Sequence, residues 1–271
     1  MKRILRSIYG QYVGTVDDFR LASQKGLITG PWGNQMPLGD LQNYVNFDDF
    51  DGAAILGTWG VLKGTDAAAA NFAINGGVSG TVLGTTGATT TTMAGSGIQI
   101  SGHLNAKAQG AGSSASTNNL EFSVRVQLSA ITNLVVFVGL TNQVASLQMP
   151  IQGSGVGNAF TGNANDAVGF VFDTTVTTTD WWMIGNTAGT LAIGQDTISA
   201  PVAATYDVLA VSVDQLGNAN FFQNGNQVGV TMPNAVTPTV ALAPCIAAFN
   251  RTGAASRNVT LDYIMMSMNR I

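Results

Sequence analysis

A chain of 271 residues with 45% hydrophobic and only 10% charged side chains can bury a core, and it carries far less charge than the roughly 25% of ordinary soluble domains. Its surface must be covered by Ser, Thr, Asn, Gln and Gly, and disorder of the whole chain is excluded, since that needs low hydrophobicity and high net charge. The net charge of −4 and pI near 4.7 exclude the basic face that nucleic-acid binding requires.

Residues 1–50 read as an N-terminal arm and 51–271 as one large domain. The arm holds five of the eleven Lys and Arg residues, Lys2, Arg3, Arg6, Arg20 and Lys25, together with the turns Gly30-Pro31-Trp32-Gly33 and Met36-Pro37-Leu38-Gly39. Residues 15–25 could carry a short helix capped by Thr15 or Asp17. The cluster of cations is either a solvated terminus or an electrostatic anchor on an acidic partner. On the second reading Arg3, Arg6, Tyr9, Tyr12 and Trp32 are the contact residues. The N-terminus has no apolar stretch of secretory length, and the longest apolar run, Leu134 to Leu140, is strand-sized. Neither an export signal nor a membrane span is expected.

From residue 51 onward the chain is strand and turn. Ala67 to Ala106 contains no Asp, Glu, Lys or Arg; its Thr and the alternating Ile98-Gln99-Ile100-Ser101 read as short strands joined by neutral loops. Glu121 to Leu128 alternates, with Phe122, Val124, Val126 and Leu128 directed inward. Leu134–Leu140 and Val168–Phe172 are apolar on both faces, as central strands covered on two sides are. Asp207–Asp214 places Leu209, Val211 and Val213 on one face. Asn224-Gly225 lies between two strand-like runs, the two-residue type I′ hairpin signature, so 207–231 reads as a three-strand meander. Val259 to Met266 alternates again. Many short strands at regular spacing make an antiparallel, all-β sandwich.

The sequence offers little for catalysis. A β-sandwich glycanase needs two carboxylates across the scissile bond, but Glu121 is the one glutamate and faces outward, and no E-x-D-x-x-E run occurs. Asp48, Asp49 and Asp51 read as turn formers. His103 is the single histidine and Cys245 the single cysteine, so neither a Ser-His-Asp triad nor a zinc site can be assembled convincingly. Cys245 forms no intrachain disulfide and reads as a buried, inert thiol. No EF-hand-like or repeat calcium loop and no P-loop is present; Asp and Asn side chains with loop carbonyls leave calcium open, and no cofactor is expected. Trp181 and Trp182 are adjacent in a strand and point to opposite faces. One belongs to the core; the other is a glycan-stacking platform, a partner contact, or buried as well.

The meander Tyr206 to Asp214 followed by Phe221-Phe222-Gln223-Asn224-Gly225-Asn226-Gln227-Val228-Gly229, with the returning Arg257 to Tyr263, resembles concanavalin A-like (laminin-G-like) sandwiches. Three phrases, Asn75 to Gly87, Val136 to Thr141 and Ala167 to Asp173, resemble structural proteins of tailed-phage virions. The resemblance covers about residues 51 to 271. It implies a concanavalin A-like or jelly-roll sandwich on a virion made in the host cytoplasm. The implied role is a capsid decoration protein, homo-oligomeric (trimeric, for example), on major capsid protein or another virion protein. The alternative is a glycan-binding adhesin module of a head or tail appendage. It carries over no ligand or metal residues.

Overall fold

The computed structural model describes residues 4–6, 12–15, 28–29, 35–36, 43–50, 55, 57–65, 71–75, 80–88, 93–102, 106–109, 119–192, 194–251 and 255–269. By its contacts the chain divides into two compact units, Met1–Tyr44 and Val45–Asn269. Within the first, β1 (Ile4–Arg6) pairs with β2 (Tyr12–Thr15), and β3 (Ile28–Thr29) with β4 (Gln35–Met36), both antiparallel. Apart from Thr15, which ends β2, the helix expected over 15–25 lies outside the described residues.

The second unit is a sandwich of two antiparallel sheets. The first sheet runs β17 (Thr190–Leu191), β16 (Trp181–Thr187), β15 (Ala167–Asp173), β12 (Leu134–Thr141), β22 (Ala241–Asn250), β9 (Ile98–Gly102) and β6 (Trp59–Lys63). β10 (Ala106–Lys107) pairs with β22, and β18 (Gln195–Asp196) with β16. The second sheet runs β21 (Asn226–Met232), β20 (Ala219–Gln223), β19 (Tyr206–Val213), β11 (Leu120–Leu128), β23 (Asn258–Asn269), β8 (Val82–Thr85) and β7 (Asn71–Ile74). β5 (Asn43–Asp48) joins β23. A separate hairpin, β13 (Ile151–Gly153) with β14 (Phe160–Gly162), lies outside both sheets. Among the described residues the one helical element is a 3-10 turn at Met93–Ser96.

The alternation in the sequence decides which side chains enter the space between the sheets. Phe122, Val124, Val126 and Leu128 from β11 meet Val136, Val138, Phe170 and Trp181 from the other sheet in one apolar cluster. Each large side chain buried there contributes on the order of 1.5–3 kcal/mol. β12 is buried along its whole length, as its apolar run requires. The meander forms as β19, β20 and β21, and its tip has Asn224 at φ 53° and Gly225 at φ 82°, the doubly left-handed turn that the Asn-Gly pair specifies. Cys245 is buried, and burial pushes its thiol pKa up. Asp48 forms the expected turn, its Oδ1 accepting the Phe50 amide at 2.9 Å; Asp51 and His103 lie outside the described residues.

Candidate functional site

The outer face of the first sheet is closed by its own chain. Val135 and Phe137 of β12, Val171 of β15, Trp182 and Ile184 of β16, and Cys245 and Phe249 of β22 point away from the central core and form a second apolar cluster. Residues 142–166, which include the β13–β14 hairpin, supply Met149, Ile151 and Ala164 to that cluster, with Leu147 and Phe160 against it. We call this segment the strap.

Polar contacts hold the strap at several points. Gln99, fully buried on β9, accepts from the Gln148 amide at 3.3 Å and donates to the Val144 carbonyl at 3.5 Å. Asn186 donates to the Ala164 carbonyl. Asp173 forms a bidentate ion pair with Arg251, through Nε at 3.0 Å and through Nη2. Both residues also hold the hairpin: the Gly153 amide donates to Asp173 at 2.7 Å, and Arg251 donates to the Gly153 carbonyl at 2.8 Å.

Both tryptophans are inside, so neither offers a free ring to a glycan. Trp181 is fully buried between the sheets beside Phe170 and Phe172, and its indole N–H donates to Asp207 at 3.1 Å. Trp182 points to the opposite face, as adjacency in a strand requires, but the strap covers that face. Its ring lies 5.3 Å from Phe160, and its N–H donates to the Thr178 carbonyl at 2.9 Å. A platform on either ring would require the core or the strap to open.

The open surface is the outer face of the second sheet over β11, β19, β20 and β21. Register places Gln127 beside Tyr206, Ala210 beside Phe222, and Phe222 beside Gln227. Tyr206, Val208, Ala210 and Phe222 are half-buried, while Gln227 and Thr231 are exposed. Asn220 accepts from Gln227 at 3.3 Å and from Thr231 at 2.7 Å, which fixes the amides in place. A bulge in β23 at Asp262, between the partners Val126↔Leu261 and Arg125↔Tyr263, turns the Asp262 carboxylate toward Arg125. The Arg125 guanidinium also lies over the Tyr206 ring, 4.2 Å from its centroid, a cation–π contact. Tyr263 stacks on Phe47 at 5.9 Å, and burial pushes its phenol up to about 12. The shelf is polar and aromatic, and its Arg and Asp neutralise each other.

Among the described residues several carboxylates have structural partners. Asp173 is ion-paired, Asp166 accepts the Thr237 amide at 2.7 Å, and Asp214 caps its turn through Leu216 and Asn218. Glu121 accepts from Ser267 at 3.2 Å. Burial, and then the neighbouring Asp196 carboxylate, raise the Asp180 carboxyl pKa.

Of the arm residues singled out in the sequence, Arg3, Tyr9 and Trp32 lie outside the described residues, and Arg6 and Tyr12 are backbone partners across β1 and β2. The shelf had no sequence motif. Its members come from β11, β19, β20, β21 and β23, and only the alternation of outward positions marked them.

No family model matches the chain, and no curated protein matches it. Solved structures do. The Bacillus licheniformis β-glucanase superposes with a TM-score of 0.55 at 10% identity, over 82% of this chain and 97% of that one. A prokaryotic β-1,3-1,4-glucanase (lichenase) from a mouse hindgut metagenome gives 0.56 at 9%, over 85% and 100%. The Emp47p carbohydrate recognition domain gives 0.52 at 8%, over 84% and 96%. The fold is a concanavalin A-like jelly-roll sandwich. At these identities the likeness is one of fold, and this fold carries both glycanases and a lectin domain.

Proposed function

We propose that this sandwich is a non-catalytic docking module and, in its specific form, a decoration protein of a tailed-phage virion that coats major capsid protein as a homo-oligomer. The observation that carries the docking reading is the asymmetry of the two outer faces. One is sealed by the strap over apolar residues. The other presents the charge-balanced Arg125–Tyr206–Phe222–Gln227 shelf. An open sheet face with fixed amides and half-buried aromatic rings suits a broad protein surface. The resemblance of Asn75–Gly87, Val136–Thr141 and Ala167–Asp173 to virion proteins supports the virion assignment, and a repeating lattice makes modest contacts sufficient through multivalency. Neither nucleic acid nor membrane has a part in this reading.

The test is the copy number of this protein per purified virion, by quantitative mass spectrometry against the major capsid protein. A ratio near one, or a simple lattice fraction of it, is expected; absence from virions overturns the assignment. A glycan-binding module of a head or tail appendage is the second reading. It is favoured by the Tyr206–Phe222 shelf and by the carbohydrate recognition domain among the fold's neighbours. A glycan array with the wild type and a Tyr206→Ala, Phe222→Ala double variant decides it: binding lost in the variant supports this reading, and no binding by the wild type removes it.

A further inference from the structure

One corner of the sandwich combines exposed apolar side chains with uncompensated negative charge. Ile198 is 87% exposed and Val202 is 60% exposed, both in the loop that leads from β18 to β19. Ile198 has φ 58°, a left-handed conformation in which a β-branched residue is an outlier. The fold holds it there firmly. Its amide donates to Asp196 at 2.8 Å, the Thr197 amide donates to the Trp181 carbonyl at 3.1 Å, and the Trp181 amide donates to the Ser199 carbonyl at 3.0 Å. An isoleucine so presented adds nothing to the core.

Beside it Asp180 and Asp196 touch, and burial followed by the charge of Asp196 raises the Asp180 carboxyl pKa. Asp207 is close by: its carboxylate accepts from Gln223, which also donates to the Ser199 hydroxyl at 3.1 Å. Among the described residues, Arg125 pairs with Asp262 and Arg251 with Asp173, and no ion pair reaches Asp180, Asp196 or Asp207. The same chain carries the opposite character at its start, where Lys2, Arg3, Arg6, Arg20 and Lys25 stand against Asp17 and Asp18, interleaved with Ile4, Leu5, Ile8, Tyr9 and Tyr12.

We infer that the Ile198–Val202 corner, rimmed by Asp180 and Asp196, docks the basic, apolar N-terminal stretch of a second copy of this chain. The inference deepens the homo-oligomeric part of the proposed function by naming the contact. Each copy carries both halves, so reciprocal exchange closes a dimer and a head-to-tail arrangement builds a larger assembly. The apolar pair supplies the anchor, and the carboxylates select a cationic segment and repel an acidic one. Release of the like-charge contact between Asp180 and Asp196 by an incoming cation favours association.

Sedimentation of the purified full chain, at low and raised ionic strength, tests this without reference to virions. It therefore fails or succeeds independently of the copy-number measurement. The wild type is expected to associate at low salt and to weaken as salt screens the contact. Charge reversal at either half, Asp180→Lys or Arg3→Glu with Arg6→Glu, is expected to weaken association severalfold, and combining the two to restore it; Asp196 is kept because it holds the Ile198 amide. Ile198→Gly relieves the backbone while deleting the anchor, so it should weaken association without loss of folded chain by circular dichroism. A wild type that stays monomeric at its highest soluble concentration overturns the inference. So does association indifferent to both reversals, or no restoration in the combined variant.

Discussion

Arg251→Ala tests whether the Asp173–Arg251 pair holds the strap. Asp173 is fully buried, and the side chain of Arg251 is only 14% exposed. Removing the guanidinium takes away both of its bonds to Asp173 and its 2.8 Å bond to the Gly153 carbonyl. The carboxylate keeps three donors: the Gly153 amide at 2.7 Å, the Thr175 amide at 3.0 Å and the Thr175 hydroxyl at 2.9 Å. Breaking a buried pair from one side costs about 3–5 kcal/mol, and those donors place the expected loss near the lower end, about 3 kcal/mol. Asp173→Asn keeps the shape but sets an amide N–H against donors, and should cost about 2 kcal/mol. Urea unfolding followed by tryptophan fluorescence measures both. A thiol reagent then locates the damage, because Cys245 lies beneath the strap in the same apolar cluster as Met149 and Ile151. In Arg251→Ala the rate of Cys245 modification should rise more than the loss of global stability accounts for. A loss below about 1 kcal/mol, the value of an exposed pair, or a Cys245 rate that tracks global stability alone, would refute the reasoning.

Four further outcomes are expected. Trp181→Ala and Trp182→Ala should each cost about 3–5 kcal/mol in urea unfolding, because both rings are packed rather than presented. Gly139→Ala and Gly169→Ala should each cost about 1–3 kcal/mol or more, since an added Cβ would lie 2.2 Å from the Val168 carbonyl oxygen or 2.3 Å from that of Val138; a neutral result would mean that β12 and β15 are not so closely apposed. The raised carboxyl of Asp180 means that its ionisation disfavours the folded state. Stability is full below the ordinary carboxylate range and falls as pH rises through the shifted value, so Asp180→Asn should raise Tm at neutral pH, with the gain vanishing in acid. Tyr263, shifted from 10.0 to about 12 by burial, contributes stability present below pH 10 and lost between 10 and about 12; Tyr263→Phe should flatten the alkaline limb of a Tm–pH profile.

The cases in which sequence and fold agree share a physical cause. Periodicity of two in Glu121–Leu128 states which side chains enter the core, whatever the strand's neighbours are. Asn224-Gly225 specifies its hairpin because the conformational cost is local to two residues. The double-sided burial of β12 and β15 was legible as apolar runs, but what covers their second face was not. Leu147, Met149 and Ile151 of the strap do alternate at a period of two, but the run is short, is broken by Pro150, and says nothing of which surface it meets. For the same reason Trp182 could be assigned to the opposite face from Trp181, but not to burial under Phe160.

Composition and alternation by themselves determined an all-β sandwich with a named inward set and a meander closing one sheet. They also counted one His, one Cys and one Glu, from which a non-catalytic role is expected. Only the tertiary structure decided that one outer face is sealed and the other open, that Asp173 meets Arg251 across 78 positions of sequence, and that Asp180 touches Asp196 beside an exposed Ile198. Strand character and inward facing follow from neighbours one and two residues away along the chain, whereas covers, ion pairs and surface patches join residues whose separation in sequence carries no signal of their meeting.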